Sequence, residues 1–234
     1  TGKLAMATYD LEEQEQLDSL KTWWKMHGNL VTTIVTVAAL AVLAWQGWNW
    51  WQRTQAAQAS ALFGGVQSAV AQNDAKRARE MAGELIDKFS GTAYAGLAAL
   101  LSAKAQLEGG DLKSARMQLA WAADNAKDDG IRDLARLRLA TVMLDDKAYD
   151  EALARIAAEP APSLAPRFND LRGDILMAQG KNAEAKAAYE TALAKLDGLI
   201  KEGGAEARAR NAYRETLQIK VDSLGGTEVK GDSK

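Results

Sequence analysis

Between Lys25 and Arg53 no residue other than His27 can carry a full charge. Inside that gap Leu30 to Ala44, "LVTTIVTVAALAVLA", holds only apolar residues and threonine. As a helix rising ~1.5 Å per residue the gap is about 40 Å long. That matches a hydrocarbon core of roughly 30 Å with its two headgroup zones. Six of the chain's seven tryptophans crowd between Trp23 and Trp51. Indole is flat and amphipathic and settles at the headgroup level, so Trp23 and Trp24 mark one interface and Trp45, Trp48, Trp50 and Trp51 the other. The expectation is one transmembrane helix over residues 29–51, with Asn29 as its N-cap after Gly28. A buried core helix, or a secretory signal cleaved near Ala39–Ala41, are the alternatives. Core helices rarely stay uncharged for so long, and a signal's leading region is short and basic. Here five acids, Asp10, Glu12, Glu13, Glu15 and Asp18, precede the span. A retained signal-anchor is the reading adopted.

Orientation follows the Lys and Arg residues beside the span. Lys21 and Lys25 stand before it, and Arg53 alone stands after it until Lys76. Residues 1–28 are therefore expected to be a cytoplasmic acidic arm, and residues 52–224 a domain across the membrane. In the arm Leu17, Leu20 and Trp24 recur at i, i+3 and i+7, a small apolar face. It reads either as a docking element or as a plain acidic leader. The polar tail, residues 225–234, is expected to be disordered.

The charges exclude several functions. The formal net charge is −2, and past Gly28 acids and bases are equal in number. A nucleic-acid binder needs a basic excess or stripe, and none is present. With no cysteine the chain cannot build disulfides or thiolate metal sites, and its single histidine, His27, is expected across the membrane from the domain's serines, so none has a base partner. The glycine pairs in Phe63–Gly65 and Glu202–Gly204 lack a phosphate-loop pattern and read as turns or helix ends. The expectation is a non-enzymatic protein without catalytic residues, metal or cofactor.

Past Arg53 the chain repeats itself. "GKNAEAKAAYETAL" places a glycine five residues before Ala185 and Tyr189 four after it. "KAYDEALARI" repeats the scheme around Ala152 with Ile156, and "GDLKSARMQLAWA" around Ala115 with Leu119. A weaker copy, "NDAKRAREMA", centres on Ala78. The alanines lie 37, 37 and 33 residues apart. Each unit reads as two helices joined by a tight turn: the small residue allows close crossing, and the large residue one turn on fills the seam to the next unit. Gly173, Ala103 and Ala140 hold the small position of the first helices. One hairpin cannot bury its apolar face alone, so stacking supplies the core. The pattern resembles the tetratricopeptide repeat, although it lacks that repeat's Leu-Gly pair and exceeds its roughly 34-residue period. The fold expected is all-α: a single N-terminal transmembrane helix followed by an α-solenoid of tetratricopeptide-like hairpins. "EPAPSLAP", with Pro160, Pro162 and Pro166, is expected to offset the last hairpin.

In such hairpins the first helices line the concave surface. Counting back from the anchor alanines places Leu97, Leu100, Lys104 and Leu107 there, then Leu134, Leu137, Thr141 and Leu144, then Arg167, Asp170, Asp174 and Met177. Two readings stay open. These residues form a partner-binding groove with an apolar floor and a charged end, or the leucines belong to the core and the register is shifted by one.

"YDLEEQEQLDSLKTWWKMHGN" and the following "VTTIVTVAALAVLAWQGWNWW", with "LQIKVDSLGG" near the end, resemble the bacterial ancillary SecYEG translocon subunit family, the YfgM-like proteins. The resemblance implies a single-pass protein of the bacterial inner membrane with a periplasmic repeat domain. Implied partners are the SecYEG translocon, a membrane-anchored periplasmic peptidyl-prolyl isomerase and translocating polypeptides, which it would help pass to periplasmic chaperones. An envelope stress regulator acting through the arm, or a structural scaffold of an envelope complex, are the alternatives.

Overall fold

A computed structural model describes residues 2–203 and 207–225. Among them there are nine helices and no strand. Helix α1 runs Gly2–Ala71, α2 Ala75–Phe89, α3 Ala93–Glu108, α4 Leu112–Asn125 and α5 Asp129–Asp145. The short α6 is Tyr149–Arg155, followed by α7 Ala165–Ala178, α8 Asn182–Lys201 and α9 Ala207–Gly225. The chain divides into two units, Thr1–Thr54 and Gln55–Lys234. The tail expected to be disordered lies outside the described residues, except Gly225, which is the last residue of α9.

In the second unit, consecutive helices pack as antiparallel hairpins, and first helices also touch one another, α3 with α5 and α5 with α7. Ala78, Ala115, Ala152 and Ala185 are all fully buried, as are the seam residues Leu119, Ile156 and Tyr189. The four turns share one backbone device. Asn73, Gly110, Lys147 and Gly180, each five residues before its alanine, have φ of +57, +81, +61 and +78°. The next N–H reaches back over the helix end each time: Asp74 to the Ala69 carbonyl at 2.9 Å, Asp111 to Gln106 at 2.8 Å, Ala148 to Met143 at 2.8 Å and Lys181 to Leu176 at 2.9 Å. This left-handed closure satisfies helix-end carbonyls and reverses the chain in few residues. Asp74 and Asp111 then cap α2 and α4 through the N–H groups of Arg77 and Ser114.

Where the seam residue is aromatic, the opposite helix must give way. A methyl group on Gly173 would overlap the Tyr189 ring. Leu119 and Ile156 are smaller, and the matching first-helix positions Ala103 and Ala140 carry the methyl and stay fully buried. The glycines in Phe63–Gly65 are not a turn; they lie inside α1, and Gly65 is where Met81 of α2 presses closest. Glu202 and Gly203 do end a helix: Glu202 caps α8 and Gly203 has φ of +78°.

The proline segment offsets the last hairpin. Helix α6 stops after seven residues, and α7 begins with Pro166 in its first turn, where a missing N–H has no cost. Buried Asp133 of α5 holds the connector by accepting the Ala161 N–H at 2.9 Å, and Arg172 donates to the Ile156 carbonyl at 3.0 Å.

Two outcomes follow. A side chain in the left-handed region costs about 1–2 kcal/mol, so Gly180→Ala lowers stability by about 1 kcal/mol and Lys147→Gly raises it by up to that amount, read by thermal melting. Gly173→Ala lowers stability by about 1–3 kcal/mol through overpacking. Adding Tyr189→Leu recovers part of that loss; a strictly additive double mutant would refute the ring-on-glycine account.

Candidate functional site

In the first unit, α1 is long and apolar enough to cross a membrane, and its most apolar window is 6% buried. Leu30, Ile34, Val35, Val37, Leu40, Val42 and Leu43 stand exposed with no protein against them, as do all six tryptophans. Such a surface is stable only when something apolar covers it, and the length suits lipid. The threonines of the stretch are compatible with lipid because their hydroxyls bond back to helix carbonyls: Thr32 to Gly28 at 2.7 Å, Thr33 to Asn29 at 2.8 Å and Thr36 to Thr32 at 2.8 Å. Asn29 is no cap, for the helix passes through it without interruption. Gly28 is buried beneath the Trp24 indole, and Trp23 stacks on His27 with centroids 5.4 Å apart. At the other end Trp48 and Trp51 lie 5.3 Å apart, one turn from each other.

In the second unit the expected groove residues have separate fates. Leu100 is 5% exposed and belongs to the main core, with Leu107, Leu134, Leu137 and Leu144 half-buried against it. Leu97 and Thr141 are exposed. Lys104, Leu107 and Thr141 do come together, as part of an open-sided cleft of about 480 Å³ between α3, α4 and α5. Its floor is Leu107, Leu119 and Val142, and its rim includes Leu112, Arg138, Asp145 and Asp146. That volume lies within the roughly 300–1,000 Å³ of small-ligand and side-chain pockets. Arg138, Asp145 and Leu112 were missed by counting only one face of each first helix. The spacing Arg138, Thr141, Asp145 on one helix face could have shown two of them.

Arg167, Asp170, Asp174 and Met177 also meet, but with the chain's own last helix. Lys220 of α9 donates to Asp170 at 2.7 Å and Asp174 at 2.6 Å. Tyr213 donates to Asp170 at 2.8 Å, Tyr189 to Asp174 at 2.7 Å, and the Met177 sulfur lies 3.9 Å from the Tyr189 hydroxyl. Arg167 lies over the Tyr213 ring and Lys220 over the Tyr189 ring. This end of the expected groove is therefore filled. Burial, reinforced by Asp174 and Asp170, pushes the Tyr189 hydroxyl far up, and burial with Asp170 does the same to Tyr213. Burial alone would lower the Lys220 ammonium, but hydrogen bonds and charge from Asp170 and Asp174 outweigh it and the net direction is up. No sequence signal joins Lys220 to Asp170 across 50 residues.

Among the described residues no three His, Cys, Asp or Glu side chains converge as metal ligands. What the arrangement offers is surface: an exposed apolar helix on one unit, and on the other an apolar cleft rimmed by charge.

Matches to known proteins run along most of the chain. Residues 21–226 match the tetratricopeptide repeat-like domain family, a match that begins upstream of the apolar stretch. A protein of Neisseria gonorrhoeae named ancillary SecYEG translocon subunit is 31% identical over 216 residues, covering 92% of this chain and 98% of its own length. Its namesake from Haemophilus influenzae is 34% identical over 184 residues, covering 79% and 90%. The Escherichia coli protein of that name is 27% identical over 131 residues, covering 56% and 58%.

The Lys220 cluster has a pH signature. All three shifted groups hold their protons more firmly folded than unfolded. Their contribution is thus complete below the unfolded values, 10.5 for lysine and 10.0 for tyrosine, and is lost as pH rises through the folded ones. Melting temperature should fall above about pH 10, and Tyr213→Phe with Lys220→Met should flatten that fall. An unchanged alkaline slope in the double variant would count against the cluster.

Proposed function

The chain belongs to the ancillary SecYEG translocon subunit family, with a tetratricopeptide repeat-like domain, and on that premise we propose that it is a membrane-tethered protein-interaction module of the Sec translocon without catalytic chemistry of its own. The observation that carries the reading is the match to the gonococcal subunit along 98% of that protein, anchor and repeats together. The exposed apolar helix supports insertion in the bacterial inner membrane. The excess of Lys21 and Lys25 over Arg53 supports an arm in the cytoplasm and repeats in the periplasm.

In that orientation the cleft of α3, α4 and α5 faces the compartment that receives translocated chains. Its role is to hold partners there and help pass secreted and membrane proteins to periplasmic chaperones, with a membrane-anchored peptidyl-prolyl isomerase among its associates. Tethering confines the module to the membrane surface, so the local concentration of binding sites reaches roughly millimolar and modest affinity suffices.

Two measurements test this. Protease added to spheroplasts should remove the repeat domain and spare the arm; the opposite pattern overturns the topology. A photoreactive residue at Thr141 should crosslink a secreted chain stalled in the translocon, and one at exposed Asp222 of α9 should not. Equal crosslinking from both, with none to translocon components after mild detergent extraction, would sink the proposed role.

A further inference from the structure

The charges on the cleft's rim have an arrangement that an apolar floor does not need. Arg138, Thr141 and Asp145 follow one another along one face of α5, and all three line the cleft. Thr141 is turned back onto the Leu137 carbonyl at 3.0 Å. Among the described residues Arg138 and Asp145 have no hydrogen-bond or ion-pair partner. Neighbouring charges are engaged: Asp146 holds Arg116 at 2.6 Å, and Lys104 lies 3.7 Å from Glu108. Two opposite, unpaired charges thus stand two helical turns apart, about 10.5 Å, across the apolar floor.

We propose that the cleft docks an amphipathic helix of a partner protein, one that carries an acid and a base seven residues apart on the face that bears its large apolar anchors. The proposal rests on the interaction-module reading above and names its ligand. The acid meets Arg138, with Lys104 on the facing wall. The base meets Asp145 in the last turn of α5, at the negative end of the helix dipole. The anchors between them fill the space over Leu107, Leu119 and Val142, the usual way a helix lies in a groove. An extended chain fits less well. Its same-face side chains fall about 6.6 or 13.2 Å apart, neither of which spans both charges. It would also find no sheet edge to extend, since the described residues contain no strand. A lipid tail or a random apolar segment would leave both charges unanswered.

The test uses the full chain in detergent micelles and fluorescein-labelled alanine-based helical peptides with two leucine anchors. One peptide carries Glu and Lys at i and i+7, one Glu at both places, one Lys at both, and a fourth is the Glu/Lys peptide interrupted by proline. The Glu/Lys peptide should bind at least tenfold more tightly than the other three. Arg138→Glu should shift preference to the Lys/Lys peptide, and Asp145→Lys to the Glu/Glu peptide. Both positions are solvent-accessible, so these variants should keep native circular dichroism and melting. Thr141→Trp should block every peptide by filling the cleft. Binding of all four peptides within threefold of one another, or charge variants that do not reorder them, overturns the proposal. A reduced, carboxymethylated unfolded protein serves as a parallel probe. If it binds and Thr141→Trp abolishes that binding while the peptides do not discriminate, the helical ligand is wrong and the interaction module stands. If neither probe binds, both fall.

Discussion

The repeat domain depends on close approach of paired helices at four alanines. A hairpin of this size has too little apolar surface to exclude water from both its faces, so each must lend one face to its neighbour. That is possible only where backbones come near enough for side chains of the next unit to reach across. Ala78, Ala115, Ala152 and Ala185 have no exposed surface at all, which marks the crossing points. Volume is then traded locally across the seam. Where the filling residue is Tyr189, the opposite position is Gly173; where it is Leu119 or Ile156, the small position is Ala103 or Ala140 and bears a methyl. The sum is conserved and the residues are not, as packing density requires.

The turns obey the same register by a different physical rule. Two of the left-handed positions are glycines, but Asn73 and Lys147 adopt the same backbone. Asparagine tolerates that region better than most side chains, while lysine gains nothing there. The strain at Lys147 persists because the hairpin around it fixes the chain reversal, with Ala152 and Ile156 fully buried just beyond. Regular spacing of the alanines and irregular composition of the turns are thus one phenomenon, with packing setting the period and the turn residues following.

This hierarchy explains what could be read in advance. Fold class, helix order and the anchor alanines were legible because small and large residues recur at a helical period, a local signal. The long apolar helix was legible for the same reason. Asn29 looked like a cap because cap chemistry is short and polar, yet the helix runs through it; nothing in a single residue reports whether the preceding turn is also helical. Leu100 and Leu107 look alike in sequence but divide between core and cleft, because burial depends on the neighbouring helix and not on residue type. Asp170 and Asp174 looked like a free charged end. Their partners Lys220 and Tyr213 lie in a helix whose approach is set by Leu217 and Val221 packing on α8, a long-range fact.

The last helix also limits where a partner can bind in the repeat domain. Helix α9 packs Leu217 and Val221, with Tyr213 and Leu224 half-buried beside them, against α8. In doing so it takes up the acidic pair of α7, Asp170 and Asp174, through Lys220. An accessible apolar cleft lies between α3, α4 and α5, where charges of both signs sit on one face of α5. A surface of that size does not support tight binding on its own, since ordering and lost mobility offset much of what a small cleft contributes. A protein held in the membrane beside its partners does not need tight binding. Weak capture favours release, and release is what any module that passes chains onward must retain. For the proposed role a deep, closed pocket would hold its ligand too long, whereas an open cleft of this kind would exchange it.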